Sequence, residues 1–225
     1  MEHIFSSSIG KKLVMSLSGM FLMVFLMVHA GANVLALFGR EIYNEVCHFM
    51  DTNPVIQVMV PVLALGFMIH ILYATWLTYR NLKARGVQTY AVSTKTKASS
   101  WAAQNMFVLG LIVVGFLALH LYHFWAKMQL QHFIGGHASD DPYGLVAGLF
   151  RQPLYAAIYL IWIGALWFHL RHGFWSALQT TGLNNSKWLK RLKAIALVYA
   201  TIIALVFASV PVFFLLGLNS SSSLL

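Results

Sequence analysis

Residues 102–125 read AAQNMFVLGLIVVGFLALHLYHFW and decide the fold class. The stretch holds no lysine, arginine, aspartate or glutamate, and it exceeds the roughly 20 mostly apolar residues with which a helix crosses a bilayer. Two histidines, His120 and His123, lie in its second half. The stretch therefore predicts a transmembrane helix whose two histidines have a functional role.

Four more runs of this kind lie outside that stretch. We predict an all-α integral membrane bundle of five transmembrane helices, forming one domain over residues 1–225, with helices at about 13–38, 55–79, 102–125, 154–175 and 194–218. The first run follows Lys11 and Lys12, as the apolar core of a signal peptide would. It is longer than the 7–15 residues of such a core, so a retained helix is predicted.

The composition supports a membrane protein. Hydrophobic residues make up 59% of the chain and charged residues 9%, against about 25% charged in soluble domains. The net charge is +9, but the basic residues are spread between the apolar runs, so nucleic acid is not a predicted partner. The single cysteine, Cys47, excludes an internal disulfide, a CxxCH haem attachment and a self-contained cysteine-ligated cluster. Neither GxGxxG nor a P-loop is present.

Loop charges predict the orientation. One side holds most of the basic residues: Lys11, Lys12, Arg80, Lys83, Arg85, Lys95, Lys97, Arg171, Lys187, Lys190, Arg191 and Lys193. The opposite side holds three basic residues (Arg40, Lys127, Arg151) and five of the 6 acids (Glu41, Glu45, Asp51, Asp140, Asp141). By the positive-inside rule the N-terminus is cytoplasmic and the C-terminus is outside.

Histidines occur in four of the five predicted helices. They are His29 in the first, His70 in the second, His120 and His123 in the third, and His169 and His172 in the fourth. Ionisable residues at membrane depth are costly and usually functional. A single buried histidine often only bonds a neighbouring carbonyl, but four helices with one each favour a shared function.

Depth groups four of these histidines into two pairs. His29 lies about 17 residues after Lys12, roughly 25 Å from the cytoplasmic end of its helix. His120 lies similarly far beyond Trp101. The second and fourth helices run the other way, which places His70 and His169 in the cytoplasmic half. We therefore expect His29 level with His120, and His70 level with His169.

Two level pairs favour two haems with bis-histidine ligation, because facing helices of a bundle commonly supply both axial imidazoles. A proton relay is the competing use, but the spans contain no Asp or Glu for it. A zinc site would need ligands converging at one depth. His123 and His172 each follow a preferred ligand by one helical turn and are alternative ligands or haem-propionate contacts. His172 also adjoins Arg171 at the polar boundary. His48, His132 and His137 lie in outer connections, where solvation is expected.

Local motifs add a family resemblance. The motifs are YNEVCHFMDTNP at 43–54, LALHLYHFW at 117–125 and FHLRHGFWSALQTTG at 168–182. Together with the five spans and four histidines, they resemble the two-haem cytochrome b membrane anchors of succinate:menaquinone oxidoreductases and fumarate reductases. The resemblance covers nearly the whole chain and implies His29, His70, His120 and His169 as axial ligands of two haem b groups.

The resemblance also implies the partners. A flavoprotein subunit would carry FAD and the dicarboxylate site, and an iron–sulfur subunit would carry its clusters and join the flavoprotein to this chain in a bacterial cytoplasmic membrane. Electrons would pass from succinate through flavin, clusters and haems to menaquinone, or the reverse. Beyond generic topology, docking of these subunits is a second interpretation of Lys83, Arg85, Lys95 and Lys97.

The quinone site is expected near the outer haem of this family. Glu41, Glu45, His48 and Asp51 are candidates for proton exchange there, with ordinary solvated residues as the alternative. Some related fumarate reductases carry a glutamate two residues before the fourth-helix ligand, used for compensating proton transfer. Trp167 occupies that position here, which favours an uncompensated enzyme.

Two other functions remain alternatives. One is a dihaem b-type carrier of another respiratory enzyme, such as a hydrogenase or formate dehydrogenase. The other is a transporter that uses its histidines as a proton relay and contains no haem. Optical spectra of the purified membrane complex, recorded with succinate and then with dithionite, separate the three.

Overall fold

The computed structural model describes residues 7–85, 101–183 and 185–218, and these ranges contain helices without any strand. Numbered along the chain, the α-helices are α1 (Ser8–Val34), α2 (Arg40–Thr52), α3 (Pro54–Arg85), α4 (Trp101–Gln104), α5 (Met106–His123), α6 (Gln129–Ile134), α7 (Pro142–Phe150), α8 (Pro153–Thr180) and α9 (Ser186–Leu215). Short 3-10 helices follow α1 at Leu35–Phe38 and α5 at Trp125–Lys127.

Five of these segments are long and apolar enough to cross a membrane, which confirms the predicted fold class. The candidate spans are Ile9–Phe38, Pro54–Ala84, Met106–Lys127, Pro153–Thr180 and Ser186–Leu215. The chain is thus a multi-pass membrane protein, and large apolar side chains such as Val24, Leu65 and Leu205 are exposed on its surface. In a bilayer those side chains face lipid tails, which give them an apolar environment like that of a protein core.

The helices extend beyond the apolar runs at the basic end. Helix α3 continues to Arg85, α8 continues to Thr180, and α9 begins at Ser186, about two turns before the predicted start. Asn185 caps α9, because its side-chain oxygen accepts a hydrogen bond from the Trp188 amide at 2.9 Å. Lysine and arginine stems let these polar turns stay helical at the membrane surface, so hydropathy alone misses them.

The segment between the first two spans is a helix. Gly39, whose φ of 123° is readily adopted only by glycine, ends the preceding 3-10 turn and starts α2. Tyr43 of α2 is buried, whereas Glu41, Glu45 and His48 are exposed. The four quinone-site candidates therefore lie on a helix that packs one face on the bundle.

Four of the spanning helices form a bundle with the fifth outside it. Helix α1 packs against α3 and α8, α5 packs against α8, and α3 meets α5 more loosely. Helices α1 and α5 thus stand at opposite corners, as do α3 and α8. Helix α9 packs on α8 and α1, where Trp167 Nε1 donates to Thr201 Oγ1 at 3.0 Å and the Tyr199 hydroxyl donates to the Met23 carbonyl at 2.6 Å.

The two ends of the bundle differ in the contacts that their charged side chains make. At one end the Lys11 ammonium lies 5.1 Å and the Arg80 guanidinium 5.2 Å from the centre of a Trp76 ring. At the other end Arg40 pairs with Asp141. We call these the inner and outer ends, after the orientation that the loop charges predict.

Candidate functional site

The outer pair of histidines meets between opposite corners of the bundle. The rings of His29 on α1 and His120 on α5 have centroids 5.7 Å apart and planes at 87°. Helices α1 and α5 are the first and third spans and run in the same direction, and the contact between the two rings puts His29 and His120 at the same depth in the bundle. The structure thus brings together the outer pair that helical rise alone predicts.

The inner pair meets across the other diagonal. The rings of His70 on α3 and His169 on α8 have centroids 6.4 Å apart and planes at 71°. These are the second and fourth spans, which run opposite to α1 and α5. His70 contacts Ser18, which precedes His29 on α1, so this pair lies nearer the inner end of the bundle than the outer pair does.

The spacing of both pairs fits an iron held between two imidazoles. Two bonds of about 2 Å and two ring radii of roughly 1 Å place the ring centroids of such a pair about 6 Å apart. All four histidines are partly buried within the bundle. The Nδ1 atoms of His120 and His169 are buried without a hydrogen-bond partner among the described residues. The two histidine pairs thus fit two haem groups, which would supply one-electron chemistry at two depths.

A three-ligand metal site does not form from these side chains. Within the described ranges, no three His, Cys, Asp or Glu residues converge to hold a metal ion. Their arrangement in couples suits a porphyrin, which itself supplies the equatorial ligands to iron and needs only two from the protein.

Polar neighbours contact two of the four histidines. The Ser18 hydroxyl lies 3.2 Å from Nδ1 of His70. The Asn33 amide nitrogen lies 3.3 Å from Nδ1 of His29 and donates to the His29 carbonyl at 2.8 Å. A hydrogen-bond acceptor at Nδ1 orients a metal-binding imidazole, and of these two neighbours the Ser18 hydroxyl can accept, whereas the Asn33 amide nitrogen can only donate. Sequence reasoning missed Ser18 and Asn33, although Asn33 follows His29 by one helical turn, a spacing that signals contact.

The two alternative histidines face other partners. His123 is buried, and its Nδ1 lies 3.0 Å from the Tyr159 hydroxyl. His123 also lines an outer cavity of about 300 Å³ together with Lys127 and Gln152. At the inner end, the His172 ring lies 4.9 Å from that of Trp175, and its Nδ1 is buried without a partner in the described chain.

The quinone-site candidates form no converging cluster. Glu41, Glu45 and His48 are exposed on α2. Asp51 pairs with His132, with 2.7 Å between the carboxylate Oδ2 and the imidazole Nε2. His48, His132 and His137 are exposed. On the buried face of α2, burial raises the pKa of the Cys47 thiol to about 11, so this thiol stays protonated at neutral pH.

A polar cluster that sequence reasoning missed fastens α2 to α7. Asp141 accepts hydrogen bonds from the Asn44 amide at 3.0 Å and the Gly144 N–H at 3.1 Å, and it pairs with Arg40. The Asn44 hydrogen bond, followed by the Gly144 N–H and Arg40, holds the pKa of Asp141 below its ordinary value. The Asp141-Pro142 dipeptide, a helix cap followed by proline, was the available signal.

The comparison with curated proteins finds a relative. The chain is similar to the succinate dehydrogenase cytochrome b558 subunit of Bacillus subtilis (strain 168), with 22% identity over 184 residues. The match covers 81% of this chain and 82% of the relative. No family model and no solved structure matches the chain. The similarity, over most of both chains, confirms the resemblance to cytochrome b subunits that the motifs indicate.

Proposed function

We propose that this chain, a relative of the succinate dehydrogenase cytochrome b subunits, holds two haem b groups and carries electrons across the membrane for such a complex. His29 and His120 would bind the outer haem iron, and His70 and His169 the inner one. The observation that carries the proposal is the meeting of these rings in two couples, 5.7 and 6.4 Å between centroids, from four helices.

The proposed path runs between the two ends of the bundle. The inner end, with Lys11, Arg80 and Lys193, is the cytoplasmic side by the positive-inside rule and would receive the iron–sulfur subunit and its flavoprotein. Lys83 is exposed near the end of α3 and Arg85 ends that helix, whereas Lys95 and Lys97 lie outside the described residues. The outer haem would exchange electrons with menaquinone.

Trp167 bears on proton movement along this path. Its indole N–H donates a hydrogen bond to Thr201 of α9, and an indole does not titrate. This position therefore offers no proton carrier near the inner pair. We therefore propose uncompensated electron transfer, with protons of the quinone reaction exchanged at the outer end. Glu41, Glu45 and His48 are accessible there for that exchange.

Optical spectroscopy of the membrane complex tests the proposal. The purified complex should show a b-type alpha band with two haems per chain, partly reduced by succinate and fully reduced by dithionite. The complex should also contain a flavoprotein. A colourless preparation would contradict haem binding and favour the transporter alternative.

The alternative carrier gives a different result. A dihaem cytochrome b of a hydrogenase or formate dehydrogenase would show the same dithionite spectrum. Succinate would leave it oxidised, and fumarate would not reoxidise it. Reduction by hydrogen or formate would then identify the partner enzyme.

A further inference from the structure

The hydroxyl of Ser18 is placed to accept a hydrogen bond from His70. It donates to the Met15 carbonyl one turn earlier in α1 at 3.1 Å, and it lies 3.2 Å from His70 Nδ1. A serine hydroxyl has one proton and two lone pairs. With its proton directed at Met15, it offers His70 a lone pair, so the contact is a hydrogen bond when Nδ1 carries the imidazole proton.

That proton position determines which nitrogen is left for iron. Neutral imidazole has one N–H, and the other nitrogen supplies the lone pair for a metal. With the proton on Nδ1, Nε2 of His70 is the free ligand atom. An acceptor on the N–H side also makes the imidazole a stronger electron donor to the metal.

The backbone beside Ser18 is fitted to the same ring. A Cβ added at Gly19 would lie 3.4 Å from His70 Cε1 and 3.7 Å from Nδ1. At this step α1 therefore lies against the His70 ring of α3, with the Ser18 hydroxyl within hydrogen-bonding distance and no side chain at Gly19.

Neighbours of the other three histidines differ. Asn33 turns an amide nitrogen toward His29, and an amide nitrogen only donates. The Nδ1 atoms of His120 and His169 have no partner in the part of the chain that the structure describes. Of the four rings, His70 is the one with an acceptor at Nδ1 among the described residues.

We propose that Ser18 is a positioning residue, which holds His70 with Nδ1 protonated and Nε2 toward the inner haem iron and increases the basicity of this ligand. The inference rests on the proposed function and deepens it. A more basic axial ligand stabilises ferric over ferrous iron, so Ser18 lowers the potential of the inner haem and leaves the outer one unchanged.

Ser18→Ala removes the acceptor with little change in volume. If the hydrogen bond is of ordinary strength, the ratio of reduced to oxidised inner haem at a fixed potential rises by a factor of about 2 to 10. For a one-electron couple that is an upward shift of about 18 to 59 mV. Ser18→Thr keeps the hydroxyl and should restore most of the wild-type value.

Redox titration of the purified complex, followed in the alpha band, is the measurement. The inner haem is identified by its absence from the spectrum of His70→Ala. Ser16→Ala is the matched control, because Ser16 is a buried serine of the same helix. The inference predicts a shift of the inner haem in Ser18→Ala, near wild-type behaviour in Ser18→Thr, and none in Ser16→Ala.

Each other result has a defined meaning. Loss of the inner haem in Ser18→Ala but not in Ser18→Thr supports the inference, whereas equal loss in both variants overturns it in favour of packing alone. Two haems with unchanged potentials in Ser18→Ala overturn the inference and leave the proposed function standing. A wild-type complex without haem contradicts the proposed function and this inference together.

Discussion

The inner and outer histidine pairs have similar spacing but different surroundings. Around the outer pair, aromatic rings crowd His29 and His120; their centroids lie 5.2 to 6.3 Å from the nearer imidazole, and they belong to Phe25, Tyr159, Trp162, Phe124 and Phe207. The inner pair has glycine neighbours instead, with Gly19 beside His70 and Gly110 beside His169. The outer pair is thus surrounded by aromatic rings, whereas each inner ring has a glycine beside it at which a Cβ would already be in van der Waals contact.

The largest effect is expected from removing the histidines that we propose as haem ligands. His29→Ala or His120→Ala should remove the outer haem, and His70→Ala or His169→Ala the inner one, because each proposed haem iron would lose one of its two bonds to the protein. Haem per chain, measured by pyridine haemochrome, should fall from two to one in each variant. His123→Ala and His172→Ala, one turn away, are the controls and should keep two haems. If His70→Ala and His169→Ala abolished different haems, the pairing would be wrong.

The glycine-lined inner site should be sensitive to added volume. In Gly19→Val the methyl groups beyond Cβ press on the His70 ring, and overpacking of this kind costs about 1–3 kcal/mol. Retention of the inner haem during detergent purification should drop, while the outer haem stays. Gly31→Val on the same helix is the control, because a Cβ there meets no heavy atom within 4 Å. Equal haem loss in both variants would show that helix α1, and not the inner site, was damaged.

At the outer end, the Tyr159 hydroxyl should stabilise the fold without holding haem. Tyr159→Phe leaves the buried His123 Nδ1 without its partner, which costs about 1–3 kcal/mol. The thermal unfolding midpoint in detergent should fall, with both haems retained. Tyr155→Phe is the comparison, because Tyr155 contacts the His123 ring edge-on at 5.0 Å. A lost outer haem in Tyr159→Phe would assign the hydroxyl to the ligand shell.

The smallest effect is expected at the Asp141 cluster. Asp141→Ala removes the cap of α7 and its bonds to α2, at a cost of about 0.5–2 kcal/mol; the exposed pair with Arg40 adds little. Because the pKa of Asp141 is lowered in the folded chain, this stability is present above the ordinary carboxyl pKa of 3.8 and is lost as the pH falls through the lowered value.

Thermal midpoints measured against pH check this. The difference between wild type and Asp141→Ala should be constant near neutrality and should shrink below about pH 4. Asp140→Ala, at the exposed neighbouring carboxylate, is the control. A difference that persists undiminished in acid would show that the carboxylate charge is not what fastens α2 to α7.

Depth was readable from the sequence because the rise of a helix is constant and the bilayer holds each apolar run in register. That is why counting from Lys12 and Arg80 leads to the couples that the structure brings together. Rotation about the helix axis was not readable, since nearly every face of these helices is apolar. The contact of Ser18 with His70 depends on that rotation, and so does the turning of His123 toward Tyr159.

Secondary structure outside the lipid was harder to predict for a different reason. Helix α2 alternates buried Tyr43 with exposed Glu41 and Glu45, a pattern that hydropathy windows average away. The extra turns of α3 and α9 consist largely of lysine, arginine and other polar residues, which hydropathy assigns to loops. Pairwise contacts such as Asn44 with Asp141 join residues about a hundred positions apart and have no local signal.

The diagonal arrangement of the couples has a consequence for biogenesis. Each histidine pair joins two spans that are separated by one other span along the chain. Neither pair can therefore form within a hairpin of two consecutive spans during synthesis. The couple of α1 and α5 is complete once three spans are in the membrane, and that of α3 and α8 only after the fourth. The proposed outer haem site would therefore be complete before the inner one. A chain that stopped after α5 would contain both histidines of the outer site and one histidine of the inner site.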